Sequence, residues 1–160
     1  MKKLVCLLAV ALLAAACGPK LPDVPTLKSV ELPMVSGDTM WKANDYKGKP
    51  VLIVFMGSWC PWCKKAMPAI MAINSKYGDR MEVVGSFVDN TPGPVREAVG
   101  QNGFTVKSLY NAEDLSNKLE VRGLPQTMLF DKKQRLVKIW NGYSANLEEQ
   151  VSAEIDKLVK

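Results

Sequence analysis

The sequence predicts a single α/β domain built around a strand–helix–strand unit, and three stretches carry that expectation. Val51-Leu52-Ile53-Val54-Phe55-Met56 is an unbroken apolar, β-favouring run, the pattern of a strand buried on both faces. Residues 61–77 then place Ala66, Met67, Ile70, Met71, Ile73 and Tyr77 at spacings of three and four, the stripe of an amphipathic helix. Glu82 to Val88 is the next short apolar run, so the helix lies between two strands as in a βαβ unit. At 160 residues and 48% hydrophobic content, the chain can bury one real core and not two.

The elements follow in order. Met1-Lys2-Lys3 is a cationic start, and Leu4 to Ala16 is an apolar run. As a helix that run spans roughly 20 Å against a hydrocarbon core of about 30 Å, so residues 1–16 read as a signal peptide and not as a membrane span. The run closes on Leu13-Ala14-Ala15-Ala16-Cys17, which resembles a bacterial lipobox with Cys17 as the lipidated first residue of the exported chain. Leu13 stands one position early for that motif, and cleavage after Ala14-Ala15-Ala16 by an ordinary signal peptidase is the alternative. Residues 17–26 hold three prolines, which donate no backbone hydrogen bonds, and read as an extended tether. The folded domain is then 27–160.

Within it, residues 27–47 carry Ser36-Gly37-Asp38 between two short extended stretches, a hairpin pattern. Gly48-Lys49-Pro50 launches the 51–56 strand. Pro61 suits a first helical turn, Pro68 is expected to kink the helix, and Gly78 to stop it. Val95 and Val99 mark a short helix ended by Asn102-Gly103, and 105–109 a brief strand. Asn111 is expected to cap a helix carrying Leu115 and Leu119. Strands at 126–130 and 135–140 flank the turn Asp131-Lys132-Lys133-Gln134. Asn146 with Glu149 has the spacing of a capping box, opening a last helix whose stripe is Leu147, Val151, Ile155 and Leu158.

Charge and composition narrow the chemistry. Without Lys2 and Lys3, 19 basic residues face 16 acidic ones, and this mild excess with no basic run excludes nucleic acid as the main partner. There is no histidine, which removes the usual general base, haem ligand and zinc or copper nitrogen ligand. Cys6 leaves with the signal peptide and Cys17 precedes the domain, so Cys60 and Cys63 are the domain's two thiols. Two thiolates without imidazole do not make a structural zinc site, which needs four ligands. Met56, Met67 and Met71 sit at core spacings, which leaves copper without a ligand set. A staple closing so small a ring constrains the unfolded chain little.

Redox chemistry fits the spacing. In Gly57-Ser58-Trp59-Cys60-Pro61-Trp62-Cys63, Cys60 stands where a strand gives way to a helix. Free backbone N–H groups and the positive end of the helix dipole favour its thiolate, the form that attacks a disulfide. Cys63, one turn on, is placed to attack the resulting mixed disulfide. No cofactor is required.

Asn44 to Pro50, Phe55 to Cys63, Gly123-Leu124-Pro125 and Leu129-Phe130-Asp131, together with the element order, resemble the thioredoxin fold. The likeness is to its TlpA/ResA/CcmG-like branch of exported, membrane-tethered thiol–disulfide oxidoreductases, with an N-terminal β-hairpin and a central strand–helix insertion. That resemblance implies a cis peptide before Pro125 and a substrate segment paired with the Leu124 backbone. It also implies an apolar rim of Trp59, Pro61, Trp62 and Leu124, the lesser alternative for Trp62 being a merely exposed aromatic. It implies a monomeric reductase taking electrons from a membrane donor of the CcdA/DsbD kind and passing them to disulfide-bearing exported proteins such as apocytochrome c.

The chain departs from the family at the acids that serve the second thiol. Val54 replaces a buried acid, Gly85 its lysine partner, and Ala66 the glutamate three after the second cysteine. Cys63 is therefore expected to lose its proton through water or the leaving thiolate, with slow resolution. The Pro61-Trp62 dipeptide lacks the histidine of oxidising relatives, so an intermediate to reducing potential is expected, with Lys64 and Lys65 either aiding the thiolate or merely solvated. Two rivals stand beside this reading. A thiol peroxidase would want a threonine where Gly57 stands, and a lipid-anchored binding module would not need Cys60 at all.

Overall fold

The computed structural model describes residues 24–160, so the signal peptide and Cys17 lie outside the described residues. A two-stranded antiparallel hairpin, β1 (Glu31–Pro33) and β2 (Met40–Lys42), precedes the main sheet, with Gly37 in its turn at φ +87°. A single 3-10 turn over Ala43–Tyr46, not foreseen from the sequence, follows β2. The main sheet has five strands in the order β5-β4-β3-β6-β7: β3 (Val51–Met56), β4 (Glu82–Phe87), β5 (Lys107–Leu109), β6 (Gln126–Phe130) and β7 (Leu136–Asn141). β3, β4 and β5 run parallel; β6 and β7 add antiparallel edges on the other side.

All six residues of β3 are buried because each face of the central strand is covered. Leu52, Val54 and Met56 pack with α1 (Pro61–Tyr77), α2 (Pro92–Gln101) and α4 (Leu147–Leu158). Val51, Ile53 and Phe55 pack instead with hairpin residues Leu32 and Trp41 and with Leu115 and Leu119 around α3 (Glu113–Lys118). A part-buried polar network fastens the hairpin to the sheet. Trp41 Nε1 and Lys107 Nζ both donate to Glu82 Oε1, at 2.9 and 2.5 Å, and Lys107 also reaches Tyr46 Oη at 2.7 Å. Burial acts to lower the Lys107 pKa, but the Glu82 and Tyr46 hydrogen bonds and the Glu82 charge outweigh it and hold the ammonium above its ordinary value. The chain before β1 is held as well, since Leu136 N–H donates to Pro25 O at 2.9 Å.

Local expectations fail in two places. Asn111 does not cap α3; it adopts φ +56° and its N–H donates to Asp89 O at 2.7 Å, leaving Ala112 at the cap. Asn146 makes no capping box. Its φ −104°, ψ 24° lie outside the extended region a cap requires, and its side-chain oxygen accepts from Gln150 Nε2 at 2.9 Å. Gly78 does end α1, as expected, in the right-handed region at φ −55°, where a Cβ would stand 2.7 Å from Asn74 O. α1 runs on through Pro68 as one 17-residue helix.

Candidate active site

β3 ends at Met56, and Gly57-Ser58-Trp59 carries the chain to α1. Three ties shape this loop. Cys60 N–H donates to Gly57 O at 3.1 Å, closing a turn. Ser58 donates twice to the Asp89 carboxylate beyond the end of β4, from N–H at 2.9 Å and from Oγ at 2.5 Å. The Trp59 ring lies over Gly57, where an added Cβ would come within 2.9 Å of it.

Cys60 then occupies the N-cap of α1 in extended geometry, with Pro61 at the first helical position. Its sulfur accepts the Cys63 N–H at 3.1 Å, one of the donors that a helix start leaves without an intrahelical partner. Cys60 and Cys63 are joined as a disulfide, their Cα atoms 5.3 Å apart. Cys60 is 3% exposed and Cys63 fully buried. This asymmetry separates the two sulfurs chemically. Cys60 keeps some exposed surface and an N–H that stabilises negative charge on its sulfur, whereas Cys63 keeps no exposed surface.

The Leu124–Pro125 peptide is cis. Register places it at the same end of the sheet, since Gln126 pairs with Phe55, one residue before Met56. Two bonds hold this loop: Arg122 N–H to Gln126 Oε1 at 3.1 Å, and Gly142 N–H to Pro125 O at 2.8 Å. Leu124 is half-buried, and Pro61, Trp59 and Trp62 are exposed, the two tryptophans by 69% and 52%. Lys65 is not simply solvated, for its Nζ lies 4.3 Å from the centroid of the Trp62 ring. Lys64 lines a cavity of about 210 Å³ with Ser58, Trp59 and Glu97.

Val54, Ala66 and Gly85 are all buried, and among the described residues no carboxylate is. The Gly85 position is filled from its neighbours: a Cβ there would meet Met56 Cε at 2.7 Å and Phe104 Cε1 at 3.0 Å. Thr127, paired with Val54 in register, holds a buried Oγ1 with no hydrogen-bond partner. Sequence reasoning missed Asp89, Thr127 and Tyr143, whose ring stacks on Trp62 with centroids 5.9 Å apart. Asp89 had a usable signal, since loops beyond the carboxyl ends of parallel strands are where α/β sheets build sites. Tyr143 had none.

Known proteins resemble this chain in sequence and in fold. The chain is 26% identical over 116 residues to the thioredoxin-like protein YneN of Bacillus subtilis, covering 71% of this chain and 68% of that one. It is 30% identical over 96 residues to the thiol-disulfide oxidoreductase ResA of Bacillus thuringiensis, covering 59% and 56% respectively, so the match spans just over half of that relative. Among solved structures, a DsbE-type thiol:disulfide interchange protein from Chlorobium tepidum superposes with a TM-score of 0.78 at 20% identity, over 88% of this chain and all of the other. That likeness carries the thioredoxin fold. The site, a dithiol at a helix N-terminus, is that of a thiol–disulfide oxidoreductase. The Redoxin family model matches residues 18–155, nearly the whole chain, and this protein therefore belongs to the Redoxin family.

Proposed function

We propose that this protein is a reductase of the bacterial cell envelope that acts on disulfides of exported proteins, apocytochrome c among the candidate clients. In the reduced protein the Cys60 thiolate attacks one client sulfur. A Cys60–client disulfide forms and the other client sulfur leaves as a thiolate. Cys63, giving up its proton, attacks Cys60 Sγ; the Cys60–Cys63 disulfide closes and the second client thiolate departs. Two electrons pass to the client, and protons from Cys63 and solvent complete its two thiols. A membrane donor of the CcdA/DsbD kind returns the dithiol. The observation that carries this reading is the Cys63 N–H on the Cys60 sulfur at a helix start.

The same reading assigns Trp59, Pro61, Trp62 and Leu124 to the client rim and places an extended client strand against the Leu124 backbone before cis-Pro125. The leader over residues 1–16, Cys17 and the proline-rich tether support export with a lipid anchor, the protein working as a monomer. The test is Cys63→Ala, produced in cells with its own leader. Attack by Cys60 then stalls at the mixed disulfide, and the proteins held covalently are identified. Disulfide-bearing exported clients and a membrane donor are expected. Unchanged phenotype in Cys60→Ser would mark a binding module instead, and peroxide consumption by the purified protein would mark a peroxidase.

A further inference from the structure

Tyr143 lies in the loop between β7 and α4, directly after Gly142 at φ +74°. The left-handed backbone at Gly142 is one that side-chain-bearing residues adopt at a cost, and here it turns the chain back toward the site. The Gly142 N–H bond to Pro125 O at 2.8 Å fastens this loop to the cis-proline. From there the Tyr143 ring stacks on Trp62 with 24° between planes, and the Lys65 ammonium packs on the same indole. Trp62 is therefore held by two groups from different parts of the chain while half of it stays open. Trp59, Trp62 and Tyr143 are three of the seven large apolar side chains exposed among the described residues, and all three belong to the surface around one disulfide. Large exposed aromatics gathered in one place mark a surface that a partner covers.

We propose that Tyr143 is a client-positioning residue. With Lys65 it holds the Trp62 indole as a fixed wall, and this wall takes an apolar or aromatic side chain beside the disulfide cysteine of an extended client. The proposal rests on the reductase reading above. The partner is polypeptide because the surface adjoins the strand-pairing edge at Leu124. Its recognised side chain is apolar because the wall offers ring surface, with cationic character from Lys65 at its edge. Clamping the indole in advance removes the cost of ordering it at each encounter, and so acts on binding more than on exchange.

The test compares reduced wild type, Tyr143→Ala and Tyr143→Phe on two short synthetic peptides with an internal disulfide. One carries Phe beside its first cysteine and the other Gly; hydroxyethyl disulfide is run beside them. Wild type is expected to prefer the Phe peptide by about tenfold in kcat/KM, or ~1.4 kcal/mol, mainly through KM. Tyr143→Ala should bring the ratio down to about one or two, while Tyr143→Phe, which keeps the stacked ring, retains it. Because the ratio compares two substrates of one protein, a general loss of dithiol reactivity or of folded protein cancels. An unchanged ratio in Tyr143→Ala, a loss in Tyr143→Phe equal to that in Tyr143→Ala, or no preference in wild type overturns the inference. Failure of wild type to reduce hydroxyethyl disulfide at all overturns the reductase reading, and this inference with it.

Discussion

The loop that presents Cys60 is anchored through one carboxylate. Asp89 receives the Ser58 N–H at 2.9 Å and the Ser58 hydroxyl at 2.5 Å, across 31 residues of sequence. A hydrogen bond to a charged group contributes about 1.5–3 kcal/mol, and partial exposure puts both of these near the lower figure. Ser58→Ala loses the hydroxyl bond and should cost about 1.5 kcal/mol. Asp89→Ala loses both and should cost about 3 kcal/mol. In the double variant the hydroxyl bond is lost once, not twice, so the singles over-count by about 1.5 kcal/mol, which is the expected coupling energy. Urea unfolding of the four oxidised proteins measures it. With a slope of about 2 kcal/mol/M, Asp89→Ala should lower the midpoint by about 1.5 M. A coupling energy below about 0.3 kcal/mol would show that the hydroxyl bond contributes nothing, and an Asp89→Ala midpoint unchanged as well would refute the account of how Cys60 is positioned.

Three further outcomes follow from the packing and the charges. Gly85→Ala should destabilise by about 1–3 kcal/mol, because its methyl meets Met56 and Phe104 in a filled core; an unchanged urea midpoint would contradict that. Thr127→Val keeps the branched shape and removes a buried hydroxyl without a partner, so it should stabilise by roughly 1 kcal/mol in thermal unfolding. A loss of stability there would reveal a partner for the hydroxyl. Burial tends to raise the Asp131 pKa, but N–H bonds from Arg135 and Lys133 and the Arg135 guanidinium outweigh it and hold the carboxyl below its ordinary value. A lowered folded pKa stabilises above the unfolded carboxylate's value of about 3.9, and that stability is lost as pH falls through the folded value. Asp131→Asn should therefore weaken the protein at pH 7 and flatten its loss of stability toward acid. Parallel acid limbs in urea titrations of both proteins would refute this.

Helix caps show where local reading stops. Asn111 and Asn146 have the right side chains for helix starts, but one is held at positive φ with its N–H on Asp89 and the other is turned onto Gln150. In each case a contact competed with a preference worth about 1 kcal/mol and won.

The periodicity of residues 51–88 determined by itself that a buried strand feeds a helix and returns to a second strand. It also determined that Cys60 stands at the junction of strand and helix, with Cys63 one turn further on. Such features are local, because hydrophobic period and helix-end donors depend on neighbours within a turn or two. Only the tertiary structure decided that β3 lies between β4 and β6, that Asp89 ties the Cys60 loop and that Tyr143 stacks on Trp62. Those pairings join residues distant in the chain, and strand order and loop closure, which bring them together, leave no pattern in any short window of sequence.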